Sequence, residues 1–182
     1  MDPSPAASAA THSAIVVPVP EAEPAVGRHR ARLDRAAAQG VPAHVTVLYP
    51  FVAPHAITEA AANLLASAVG SVAAFDCSFR RTGWFEERVL WLAPEPDGPF
   101  RALTEAVMAA FPGYLPYDGA FSDVVPHLTI GDQPDGDLRA AEADVLRALP
   151  VSARISRAWL MTGGATAASW RQIATLALGT AG

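Results

Sequence analysis

Two stretches of this chain follow one plan, 83 positions apart. The first reads His44-Val45-Thr46-Val47-Leu48-Tyr49-Pro50-Phe51, and the second His127-Leu128-Thr129-Ile130-Gly131. Each is a His-x-Thr-x on a short apolar run of strand character. Side chains of a strand alternate between its faces. His44 and Thr46 therefore share one face, and Val45 and Val47 the other. In the second copy His127 and Thr129 oppose Leu128 and Ile130. The apolar faces must be core. The polar faces must meet water, each other or a ligand, and we read them as two halves of one site.

The surroundings repeat too. Ala14 to Val19 reads as a strand and Glu21 to Ala38 as a helix stopped by Gly40. Val45 to Phe51 is the first motif strand. A helix over Glu59 to Val69 follows, with Thr58 as its N-cap. Phe75 to Thr82 and Arg88 to Leu92 read as strands joined through Gly83-Trp84-Phe85-Glu86. A helix over Phe100 to Phe111 and an irregular stretch to Phe121 lead to the second motif strand, Val124 to Gly131. A helix over Asp137 to Leu149 and strands over Ser152 to Thr162 and Gln172 to Leu178 complete the pattern. The order strand, helix, motif strand, helix, strand occurs twice, which predicts a pseudo-two-fold arrangement around a shared groove.

Composition narrows the chemistry. An apolar fraction of 51% over 182 residues is ample for a core without staples, and the one cysteine, Cys77, allows no internal disulfide. Cys77 is expected in the core. Residues 1–12 read as a disordered tail and 13–182 as one domain. No apolar run reaches the roughly 18 residues needed to span a bilayer, and a cytoplasmic location is expected. The formal charge of −5 argues against non-specific grip on long nucleic acid, not against a short nucleotide in a local pocket. All thirteen basic residues are arginines. Without lysine there is no Walker-type phosphate loop, no Schiff base and no nucleotidyl-lysine intermediate. Only an energy-neutral, reversible ligation remains open.

Two imidazoles and two hydroxyls around one groove suit a small anion. Histidine titrates near neutrality, so one ring can accept a proton while the other donates one. Threonine hydroxyls can hold the non-bridging oxygens of a phosphate. On these residues, and on Leu48-Tyr49-Pro50-Phe51 and Val125-Pro126 beside them, the chain from about Ser13 to Gly179 resembles the two-histidine phosphoesterase superfamily. It is most similar to the bacterial 2'-5' RNA ligase-like and cyclic phosphodiesterase branch. The resemblance implies a bilobal α/β (α+β) fold, with an antiparallel sheet and flanking helices in each lobe and a central cleft. It implies hydrolysis of 2',3'-cyclic phosphates or reversible 2'-5' ligation by His44, Thr46, His127 and Thr129, with no metal and no cofactor. The expected partner is a small nucleotide or an RNA end, bound by a monomer that has no membrane association. His127 is favoured as the base and His44 as the acid, but the sequence does not order these two roles, which exchange in the reverse direction. A module that binds phosphorylated ligands or RNA ends without turnover is the rival reading.

Further contacts are weighed against ordinary roles. Trp84 and Phe85, in the expected turn, and Tyr117 and Phe121, before the second motif, are hydrophobic packing or platforms at the cleft rim. Arg81 and Arg171 are solvated charges or phosphate ligands. Arg28, Arg30, Arg32 and Arg35 crowd one helix and are expected on its solvated face. His12, His29 and His55 have no partner motif, and solvent or capping roles are expected for them. A zinc site on His44 and His127 lacks a third ligand at usual spacing.

Overall fold

Alternating apolar residues place both motif strands at sheet edges. The computed structural model describes residues 10–120, 123–133 and 136–180. Ala14 to Val17 lie in β1 (His12–Pro18), and the first motif forms β2 (His44–Leu48). Between them run α1 (Glu23–Leu33) and the single turn α2 (Arg35–Ala38). Next come α3 (Glu59–Gly70) and a hairpin of β3 (Phe75–Phe85) and β4 (Val89–Glu95). After them stand α4 (Gly98–Ala110), β5 (Leu128–Gly131) and α5 (Leu138–Leu146). The chain ends in β6 (Val151–Ile155), β7 (Arg157–Gly163) and β8 (Arg171–Ala177). The sheets run β2-β1-β7-β8 and β5-β4-β3-β6, all pairs antiparallel.

This is the α+β fold expected, and its halves correspond. Each motif strand sits at an edge, beside the strand that precedes it, in the order β1-α1-α2-β2 and β4-α4-β5. The helices are exchanged: α1 packs on β5 of the other sheet, and α4 packs on β2. The backs of both motif strands therefore enter one continuous core, where Val45, Val47, Leu128 and Ile130 meet Val17, Leu92, Leu103 and Phe100. Burying such side chains contributes roughly 1.5–3 kcal/mol each, which fixes both registers, because a slip of one residue would turn every side chain over. Cys77 is buried, as expected.

Several boundaries differ from the sequence reading, each for a local reason. The helix expected over Glu21 to Ala38 is broken at Asp34. Its extended backbone ends α1 and its carboxylate accepts from Ala36 N–H to cap α2. The strand expected over Ser152 to Thr162 is two strands in different sheets, separated at Ser156. The inward residues are odd-numbered before it (Val151, Ala153, Ile155) and even-numbered after it (Ala158, Leu160). β1 begins at His12, inside the expected tail; residues 1–9 of that tail lie outside the described residues. His29 is buried beside Arg28 and Asp144 rather than solvated. Thr58 caps α3 through Ala61 N–H, as the sequence predicts.

The turn expected at Gly83 is strand. β3 continues to Phe85, and the reversal is made by Glu86 and Glu87 at φ 49° and 56°, a left-handed turn without glycine. Gly83 serves packing instead. A Cβ there would lie 2.4 Å from the Trp91 ring on the neighbouring strand. We predict that Gly83→Ala lowers stability by about 1–3 kcal/mol through this overlap. Urea unfolding checks it, and a variant as stable as the wild type would refute the packing role.

Candidate functional site

Both motif histidines are held in the same way by their own chain. His44 Nδ1 bonds the main-chain oxygen of Pro42 at 2.7 Å, and His127 Nδ1 bonds that of Val125 at 2.8 Å. A carbonyl only accepts, so in each ring the proton sits on Nδ1 and the lone pair on Nε2. In both copies the histidine and threonine are half-buried while the alternate residues are fully buried. That is the two-faced strand expected from the sequence. His127 lies one residue before β5.

The rings have a common environment. β2 touches β5, and a charge on His127 disfavours a charge on His44, so the rings are within electrostatic reach. Burial lowers the pKa of His44 to about 3, helped by the Arg30 guanidinium and by His127, while the Pro42 carbonyl opposes the shift. His127 is lowered by burial against the pull of the Val125 carbonyl. Near neutral pH both rings are neutral acceptors.

His44 and Thr46 line a groove of about 370 Å³. Ala14, Val16 and Met161 give it an apolar surface, with Trp170 and Tyr49 beside them 6.0 Å apart, edge to face. Arg35 and Gln39 enter from α2, and Asp132 and Tyr117 from the second half. Arg35 donates to Asp132 through Nε at 3.0 Å, joining the halves at this point. His127 and Thr129 stand beside the groove on the adjoining edge rather than in its lining.

The remaining candidates separate. Tyr117 is in the groove and its side chain hydrogen-bonds that of Thr46. Burial raises its pKa, and the Thr46 bond opposes this. It is carried there by a strained turn in which Tyr117 and Asp118 hold φ 52° and 54°, fastened by Tyr117 N–H to Tyr49 O at 2.6 Å. Phe85 reaches the second motif, edge-on to His127 at 4.9 Å and stacked on Trp91 at 4.9 Å. Trp84, one residue earlier, points to the opposite face. There its indole N–H donates to Glu142 at 2.8 Å and Arg139 lies over its ring. Its position is structural, contrary to a platform in a turn. Arg81 pairs with Glu95 and borders a smaller hollow beside Trp91 and Pro126. Arg171, the first residue of β8, donates to the carbonyls of Trp170 and Ala168; β1 and β7 lie between β8 and β2, and Arg171 does not reach the motifs. Phe121 lies outside the described residues. No cluster of three or more His, Cys, Asp or Glu side chains among the described residues is placed to hold a metal. None of their helices is long and apolar enough to cross a membrane.

Trp170, Tyr49, Arg35 and Asp132 were not singled out from sequence as groove residues. Tyr49 has the clearest signal, standing two residues past the first His-x-Thr-x. Trp170 carries no such signal; in the fold it packs against Gly163, where a Cβ would lie 2.4 Å from its ring.

Comparison with known proteins agrees with this architecture. The family model described as the 2'-5' RNA ligase superfamily matches residues 18–166. No curated protein matches. Among solved structures, E. coli LigT complexed with NADP+ is 17% identical with a TM-score of 0.58, covering 95% of this chain and 100% of that one. Protein TT0787 of Thermus thermophilus is 18% identical with a TM-score of 0.64, covering 94% and 100%. A structure described as a phosphoesterase is 16% identical with a TM-score of 0.57, covering 93% and 99%. At these identities the likeness shows a shared fold.

The burial of His44 has a consequence for stability. Between its ordinary value of 6.5 and about 3, the unfolded chain binds a proton that the folded chain refuses. Stability therefore falls as pH drops through that window, by up to about 1.4 kcal/mol per pH unit from this group. We predict that the stability difference between wild type and His44→Gln shrinks from pH 7.5 to pH 4.5 in urea unfolding. A constant difference would mean that His44 titrates normally.

Proposed function

The chain belongs to the 2'-5' RNA ligase superfamily, and on that footing we propose that it is a metal-independent phosphodiesterase acting on a nucleotide or RNA end. The bond acted on is that of a 2',3'-cyclic phosphate, or a 2'-5' linkage in a reversible reaction. The observation that carries this reading is the matched pair of histidines. Each has Nδ1 committed to a carbonyl and Nε2 left as a lone-pair acceptor, on touching strands with a threonine two residues on.

In the hydrolytic direction a water oxygen attacks phosphorus, one P–O bond of the cyclic phosphate breaks, and the departing ribose oxygen takes a proton. One histidine accepts the proton of the water and the other supplies the proton of the leaving oxygen. The electrostatics favour the reverse of the assignment favoured above. A bound phosphate anion promotes protonation of both rings, and the Arg30 guanidinium opposes it at His44. His127 is then the acid and His44 the base. Thr46 and Thr129 donate to the equatorial oxygens as charge builds on them. The apolar and aromatic surfaces of Val16, Met161, Tyr49 and Trp170 suit the body of a nucleoside. The complexes of E. coli LigT with 3'-AMP, ATP and phosphate support a ligand of this class.

We predict hydrolysis of 2',3'-cyclic nucleotides that is unchanged by EDTA and reduced about 10²–10⁴-fold in His44→Ala and in His127→Ala. Thr46→Val and Thr129→Val should each lose about 10- to 100-fold, the worth of one hydrogen bond to a charged group. Steady-state kinetics on a panel of cyclic and linear phosphodiesters checks this. Binding of RNA ends with no turnover would replace the enzyme by a binding module.

A further inference from the structure

Arg30, expected on a solvated helix face, is 2% exposed. Its guanidinium donates through Nε to Asp34 Oδ2 at 3.0 Å and to the main-chain oxygen of Thr129 at 3.1 Å. Through Nη2 it donates to Asp34 Oδ2 at 2.7 Å and to the main-chain oxygen of Val41 at 3.2 Å. Nη1 lies 3.8 Å from Glu23 Oε1, and that oxygen accepts from Ala43 N–H at 2.7 Å. Val41 is three residues before His44 and Thr129 is two after His127. One side chain therefore grips the main chain of the second motif and of the segment that enters the first, from a helix that belongs to the first half and packs on the second.

The other half carries a weaker copy of the device. Arg101 on α4 donates to the oxygen of Val124, three residues before His127, and pairs with Asp97 at i−4. Thr104 on the same helix donates to the oxygen of Val47 on β2 at 3.0 Å. There the work is divided between a neutral hydroxyl and a guanidinium whose side chain is 36% exposed. Only the His44 side has its cation sealed in protein.

Taking the acid–base reading above as premise, we propose that Arg30 is a positioning residue that holds the two His-x-Thr motifs at the separation one phosphate requires. A planar fork with five donors can grip a carboxylate and two carbonyls at once; an ammonium cannot reproduce that geometry. The fork also makes the site electrically lopsided, because a charge out of water acts on its neighbours with little screening. The charged and titratable groups around His44 are Arg30, which is paired with Asp34 and Glu23, the groove residues Arg35, Tyr117 and Asp132, and His127 from the second half. Of these Arg30 is the cation that lowers its proton affinity, and His127 adds to it.

The test compares wild type, Arg30→Lys, Arg30→Met and, as the exposed counterpart, Arg101→Met. Two readouts are taken: steady-state kinetics on a 2',3'-cyclic nucleotide, and histidine ring proton NMR against pH. In Arg30→Lys the charge stays and the fork is lost. kcat falls about 10- to 100-fold, KM changes less, and the His44 titration stays near that of wild type. In Arg30→Met the His44 midpoint rises as well, and the acidic limb of kcat/KM moves to higher pH. Arg101→Met leaves both midpoints in place. Should Arg30→Met fail to fold, Arg30→Lys carries the test. Folded Arg30 variants with wild-type kcat and an unmoved pH profile would overturn the proposal. A wild type that turns over no phosphodiester would instead fail the premise, and the NMR midpoint of His44 in Arg30→Met would then decide the effect of Arg30 on its own.

Discussion

The site depends on an alternation two residues long, enforced by the core. Val45 and Val47 on one edge strand and Leu128 and Ile130 on the other are fully enclosed, because each strand is covered by the helix of the opposite half. That burial leaves His44, Thr46, His127 and Thr129 no face but the outward one. The exchange of helices makes the two edges neighbours, so two motifs far apart in the chain come to lie side by side. Neither half could bury its motif strand alone.

Likeness of the halves ends at the chemistry. The two histidines have the same carbonyl anchor and the same neighbouring threonine, but different electrostatic surroundings. A sealed guanidinium presses on His44, while His127 is set against the rings of Phe85 and Trp91. The space around them differs as well. On the first sheet, small and flexible residues such as Ala14, Val16 and Met161 leave a groove, where the second sheet places Trp91 beside Thr129. A duplicated frame thus carries one open side and one filled side.

Much of this was legible in the sequence, and the failures have physical causes. Periodicity and the repeated His-x-Thr identify both motif strands and their faces, because an alternating strand with one buried face has a single solution; the α+β class is what the resemblance implies. Gly83 misled because glycine marks a turn and a close approach alike, and only the Trp91 ring distinguishes them. Ser156 was passed over, although the shift of inward residues from odd to even positions recorded the change of sheet. The burial of Arg30 was hidden because a buried arginine needs partners that lie far off in sequence, here Thr129 and Val41. Trp170 and Asp132 entered the groove by the same long-range route.

The central claim is that His44 and His127 attend one phosphate. The most direct measurement follows the ring proton resonances of both histidines while inorganic phosphate or 3'-AMP is titrated into the protein at constant pH. The account predicts that both resonances move together and report one Kd. Movement of one ring alone, or two rings reporting different Kd values, would contradict it.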